Sequence, residues 1–205
     1  MLFASAVLQH HAAADAYPDI RYKAAAMILL LTGMRRGKLC GLEWSNIDFK
    51  GATITIERSV TTVTGFGVVE KDPKTESSKC VIAISDKLLS VLTEYKMWYD
   101  QYRNDMGDRW KETDRLFIAE YGGRLYPGTI YTWIHKVCDA AGLPHRTVHS
   151  LRHTNITMQI AAGVPLVTVA GRAGHVRTST TTDIYNHFLK SSDKTAAEKP
   201  EQMFE

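Results

Sequence analysis

His175 and Tyr185 stand ten residues apart in Gly174-His175-Val176-Arg177-Thr178-Ser179-Thr180-Thr181-Thr182-Asp183-Ile184-Tyr185, and His149-Ser150-Leu151-Arg152-His153-Thr154 lies just upstream. Residues three apart are neighbours on a helix surface, so the His149 imidazole and the Arg152 guanidinium share one face. Arg35, in Thr32-Gly33-Met34-Arg35, adds a second guanidinium. Together these residues describe a phosphate clamp beside a phenol.

A tyrosine that cuts a phosphodiester needs four things: loss of its proton, charge stabilisation on the phosphorus oxygens, an acid for the departing sugar oxygen, and alignment. A free phenol has a pKa near ~10, so Tyr185 needs a base or a strong positive field; His149 is the candidate base. Arg35 and Arg152 have planar forks that bind non-bridging oxygens through paired N–H donors, and His175 adds another donor. A lysine crowded by arginines has its pKa pushed down and can protonate the leaving 5′ oxygen. Lys74 in the polar loop Lys71-Asp72-Pro73-Lys74-Thr75-Glu76-Ser77-Ser78-Lys79 is the choice, with Lys71 and Lys79 as competitors.

At these points the chain resembles the catalytic domain of the tyrosine recombinases, the phage and conjugative-transposon integrases. In that family an arginine follows Thr-Gly-x, a lysine lies on a β-hairpin, His-x-Leu-Arg-His opens a helix, and Leu-Gly-His precedes the tyrosine. The resemblance covers roughly residues 1–188, and its motifs occur here in the family's order. It implies an α+β fold, mainly helical with a small three-stranded antiparallel sheet, the fold of DNA breaking and rejoining enzymes. It implies a site-specific recombinase that acts on double-stranded DNA through a covalent 3′-phosphotyrosyl intermediate, without metal, nucleotide cofactor or small-molecule substrate. Catalytic roles fall to Arg35, Lys74, His149, Arg152, His175 and Tyr185. Contacts to DNA are expected from Arg36, Lys71, Lys79, His153, Arg172 and Arg177. A further DNA-binding domain is expected upstream of this region. Residues 189–205, polar apart from Met203 and Phe204, read as a mobile tail that docks on a neighbouring protomer of a DNA-bound tetramer.

One position departs from the family pattern. Three places after Arg35, where an acidic residue is usual, stands Lys38. A carboxylate there would accept bonds from Arg35, whereas an ammonium repels it. The pattern alone predicts slower cleavage, restored by Lys38→Glu, unless Glu43 or Asp48 compensates. It also keeps open a non-enzymatic DNA-binding relative, and the shared tyrosine chemistry keeps open a nicking-closing enzyme of the type IB topoisomerase kind.

Several of these residues also suit plainer roles. His149 and His153, four apart, have a spacing that suits zinc, yet the glutamate and third ligand of a metalloprotease motif are missing. Arg35 and Arg36 compete for one place in the site. Trp44, Trp98, Trp110 and Trp133 read as core and interface rather than as base-stacking platforms.

These residues need elements to hold them. A chain of 205 residues, 44% hydrophobic, is long enough for one sizeable core, and a net charge of +3 leaves attraction to DNA to local clustering. Cys40, Cys80 and Cys138 lack paired or metal-binding spacing, which predicts reduced thiols in a cytoplasmic setting. The apolar run 24–31 is too short for a membrane span, which takes ~20 residues. Helical composition runs from Leu2 to Ala16, and a second helix should run from Asp19 to Gly33, burying Ile20, Ala24, Met27, Ile28 and Leu31. A short helix through Leu39 and Leu42 then puts Arg35 at a junction facing a cleft. Thr53-Ile54-Thr55-Ile56 alternates, and with Val68-Val69 and Val81-Ile82-Ala83-Ile84 it predicts the three-stranded sheet. A long helix through Leu88, Leu92, Tyr95 and Tyr99 precedes a charged loop over 104–114. Helices from Pro127 to Gly142, from His149 to Gly163, onward to about Ala170, and a last segment over Thr178–Phe188 complete the predicted elements.

Overall fold

The computed structural model describes residues 2–71 and 80–174. Helix α1 (Leu2–Ala16) leads into α2 (Ile20–Thr32), whose N-terminus is capped by Asp19: its side chain accepts the Arg21 N–H at 3.0 Å. Gly33 ends α2 in the left-handed conformation, φ 65°, and its N–H returns to the Leu29 carbonyl. The periodicity predicted one buried stripe on α2. Instead Ala24 through Leu30 are all buried and Leu31 is only half-buried, because α1 and three later helices, α4 (Asp86–Met106), α5 (Thr129–Ala140) and α6 (Val148–Ala161), pack around this helix. A helix that is apolar all round is a core helix, and α2 is the axis of the domain.

Helix α3 (Arg36–Cys40) follows at once, with Arg35 in its extended N-cap position, and a 3₁₀ turn at Trp44–Asn46 closes the segment. Strands β1 (Ile47–Asp48), β2 (Thr53–Ile56), β3 (Ser59–Val63), β4 (Gly67–Lys71) and β5 (Cys80–Ala83) come next. They form an antiparallel three-stranded sheet in the order β1-β2-β5, with Ile54 paired to both Ile47 and Ile82, and a separate hairpin β3-β4. The predicted sheet is present, but its third strand is Ile47–Asp48; Val68-Val69 pairs with Thr62 and Thr61 in the hairpin. A two-residue strand carries too little alternation to read from sequence, whereas Val68-Val69 reads as strand whichever partner it takes.

Helix α4 (Asp86–Met106) buries Leu88, Val91, Leu92, Tyr95 and Tyr99 and runs through Met106 into the predicted loop. The Tyr95 hydroxyl donates to the Leu116 carbonyl at 2.7 Å inside the core, and burial pushes the phenol's pKa well up, so it stays neutral. Trp44 and Trp98 pack on Tyr95, Trp110 on Tyr99 and Trp133 on Phe117, in agreement with the core reading of the tryptophans. Helices α5 (Thr129–Ala140), α6 (Val148–Ala161) and α7 (Leu166–Ala173) complete the described chain. A small cluster of Ile156, Val169 and Ala173 joins α6 to α7. Among the described residues no helix is long and apolar enough to cross a membrane. The expected segment Thr178–Phe188 and the tail 189–205 lie outside the described residues.

Candidate active site

The site is built where the end of α2 meets the start of α6. Thr147 caps α6, its hydroxyl accepting the Ser150 N–H at 3.0 Å, so His149 stands in the exposed first turn. One turn on, Arg152 is buried, and its Nη1 donates at 2.7 Å to the carbonyl of Gly33. From the next turn, buried Asn155 donates through Nδ2 to the Leu30 carbonyl at 2.8 Å, and its Oδ1 accepts from Gln159. These side chains occupy carbonyls at the C-terminus of α2 that lack partners within the helix. Gly33 is the close contact of the two helices: a Cβ there would lie 2.5 Å from Asn155 Oδ1.

Two residues beyond Gly33, exposed Arg35 extends to the end of α7, where its Nη1 donates at 3.3 Å to the Gly174 carbonyl. Gly174 caps α7 with φ 67°. Helix α7 is also fastened to the sheet edge: Arg172 donates to the Ala83 carbonyl at 3.2 Å and the Cys80 thiol to the Gly171 carbonyl at 3.6 Å. Arg35 and Arg152 feel each other. Burial, and then the Arg35 charge, pull the Arg152 pKa down to about 10, which leaves it cationic at neutral pH. Lys38 joins them: burial lowers its pKa against a raising effect from Cys80, and the positive charges of Arg35 and Arg152 lower it further. The His153 pKa is also lowered, by burial first and then by His149 and Arg152.

Arg35, His149, Arg152 and His153 are therefore gathered at one place. The His149 and His153 rings meet edge to face, centroids 4.4 Å apart. Among the described residues no group of three or more His, Cys, Asp or Glu side chains is placed to hold a metal ion. Arg36 turns away to α5, with its guanidinium 4.5 Å above the Tyr131 ring. Lys71 is exposed at the end of β4, and Arg172 lies against β5. Lys74, Lys79, His175, Arg177 and Tyr185 lie outside the described residues. Neither acidic residue considered as a replacement partner faces Arg35: Glu43 pairs with Arg58, and Asp48 accepts backbone N–H groups of Lys50 and Gly51. The backbone carbonyl of Gly174 is the acceptor Arg35 finds.

Gly33, Asn155 and Gly174 were not among the predicted site residues. Asn155 was within reach, because it follows Arg152 by three and so shares its helix face. A carbonyl acceptor such as that of Gly174 has no signature in residue type.

The fold is a mainly helical domain with two guanidinium groups near the start of α6, and comparison with known proteins places it. Residues 5–192 match the phage integrase family, and the chain belongs to that family. A tyrosine recombinase XerC-like protein of Caldanaerobacter subterraneus subsp. tengcongensis is 29% identical over 206 residues, covering 93% of this chain and 51% of that protein. The ICEBs1 integrase of Bacillus subtilis is 29% identical over 182 residues, covering 88% of this chain and 49% of the relative. The chain thus spans about half the length of these curated relatives. Among solved structures, the Tn1549 transposon integrase in complex with transposon right end DNA superposes with a TM-score of 0.74 at 22% identity, covering 93% of this chain and 62% of that one. That likeness confirms the predicted fold class.

Proposed function

We propose that this chain is the catalytic region of a site-specific DNA recombinase that cuts and rejoins strands through Tyr185. The Tyr185 oxygen attacks the scissile phosphorus as His149 accepts the phenolic proton. The bond from phosphorus to the 5′ oxygen breaks, Lys74 protonates that oxygen, and the DNA is left as a 3′-phosphotyrosyl ester. Attack by another strand's 5′ hydroxyl reverses the steps, so the bond energy is kept in the protein–DNA link. Arg35, Arg152 and His175 stabilise the charge that builds on the non-bridging oxygens. The observation that carries this reading is the bond from Arg152, one turn beyond the open start of α6, to Gly33, two residues before Arg35. The polarity of that turn also favours an anion.

The solved relatives include complexes with DNA, and duplex DNA is the substrate assigned here, with a tetramer on two duplexes and exchange of the segment 189–205 between protomers.

The test is covalent trapping on a pool of nicked duplexes of randomised sequence, from which the cleaved end escapes. A denaturation-resistant adduct is expected, with mass spectrometry locating the oligonucleotide on Tyr185 and Tyr185→Phe forming none. No adduct with the unaltered chain, or an adduct that survives Tyr185→Phe, overturns the assignment.

A further inference from the structure

Lys38 is the residue that departs from the family pattern, and it does not point to solvent. It is half-buried in the first turn of α3, and its ammonium rests on the end of α7: a Cβ added to Gly174 would lie 2.8 Å from Nζ. Gly174 is also the residue whose carbonyl holds Arg35. The Lys38 ammonium and the Arg35 guanidinium therefore meet at the same glycine, with Arg152 close enough to lower the pKa of Lys38. No carboxylate among the described residues lies within ion-pair distance of Lys38. A half-buried ammonium beside two guanidinium groups, with no carboxylate of its own among the described residues, is unfavourable. An arriving anion reverses that balance.

We infer that Lys38 is a direct ligand of the scissile phosphate, completing a three-cation clamp with Arg35 and Arg152. This rests on the function proposed above. In this arrangement Gly174 supplies the acceptor that orients Arg35, which leaves position 38 free to carry a charge that binds substrate. An ammonium donates to a phosphate oxygen where a carboxylate would repel it. The sequence pattern predicts that Lys38→Glu restores speed; a clamp containing Lys38 predicts the reverse.

Binding of the unaltered chain to a fluorescent ~30-bp duplex is measured by anisotropy across a potassium chloride series, beside Lys38→Met, Lys38→Arg and Lys38→Glu. Loss of one phosphate contact lowers the slope of log affinity against log salt by about 0.9 and costs about eightfold in affinity at about 0.1 M salt. Lys38→Met is expected to show both losses and Lys38→Arg to recover the slope. Lys38→Glu should bind more weakly than Lys38→Met and form covalent adduct more slowly. Unchanged slope and affinity in Lys38→Met, a slope in Lys38→Arg as low as that of Lys38→Met, or faster trapping by Lys38→Glu would overturn the inference. Should Lys38→Met fail to fold, Lys38→Arg and Lys38→Glu, each compared with the unaltered chain, decide in its place. Absence of covalent trapping in the unaltered chain strikes the proposed chemistry instead, and the salt slopes still decide whether Lys38 meets a phosphate.

Discussion

The Arg152 guanidinium donates a 2.7 Å hydrogen bond to the carbonyl of Gly33, across 119 residues of sequence. One side of the proposed phosphate clamp is thereby fixed to the turn from which Arg35, two residues on, projects. The relative position of the two guanidinium groups depends on this junction and on the Gly174 carbonyl that receives Arg35.

Gly33→Ala should cost both stability and activity. The residue has φ 65°, where a Cβ is strained by about 1–2 kcal/mol, and the new methyl would lie 2.5 Å from Asn155 Oδ1. Displacing Asn155 also disturbs its bond to the Leu30 carbonyl, so Asn155→Ala should by itself lose about 1–3 kcal/mol. Urea unfolding measures the first effect and covalent trapping the second. Retention of full trapping in Gly33→Ala would separate the clamp from this junction.

Arg35 and Arg36 should part company on mutation. Arg36 sits over Tyr131, so Arg36→Ala is expected to lose about 0.5–1 kcal/mol of stability with a small effect on trapping. Arg35→Ala, which removes a donor assigned to the transition-state charge in the proposed reaction, should slow trapping by about a hundredfold or more. Rate constants for adduct formation rank the two.

Acid should weaken the fold partly through His153. Its pKa in the folded chain lies below the usual 6.5, with burial the first cause and His149 and Arg152 following. A base with a depressed folded pKa contributes stability that is fully present above its unfolded value, and that contribution is lost as pH falls through the folded value. Between about pH 8 and pH 5 the unaltered chain should therefore lose more unfolding free energy than His153→Gln. Parallel losses in denaturant titrations would show that His153 is not the sensor.

Gly174→Ala should act through Lys38. A Cβ at this left-handed residue would approach the Lys38 ammonium to 2.8 Å, and the flexible lysine would yield by moving. Weaker duplex binding is expected in the unaltered background and little further loss on top of Lys38→Ala, a non-additivity that a double-mutant cycle reads directly. Additive losses would place the two residues in separate roles.

Much of this site was legible in the chain because its grammar is local. The glycine after Thr32 marks the end of α2, a threonine before Val148 marks the start of α6, and the spacing from His149 to Arg152 sets a common face. Long-range partnership was not legible in the same way. The alternation of Thr53-Ile54-Thr55-Ile56 announces a strand but not that Ile47 lies beside Ile54, and Val68-Val69 belongs to a hairpin of its own. Lys38 stood out as an anomaly, but its meaning depended on Gly174, 136 residues later in sequence, which brings up a carbonyl and no side chain. The alanine and leucine run of α2 predicted a one-sided helix because periodicity cannot count how many neighbours will surround it.

From Ala24 to Leu30 helix α2 is enclosed by close-packed side chains, and both Gly33 and Asn155 are moored to its last turn. The interior of a protein deforms very little, so a fork tied to it is aimed before any ligand arrives. In the proposed reaction, preorganisation of this kind spares the guanidinium of Arg152 the reorganisation that a loop-borne arginine would undergo while charge develops on phosphorus. Stiffness in the hydrophobic centre thus becomes accuracy at the surface.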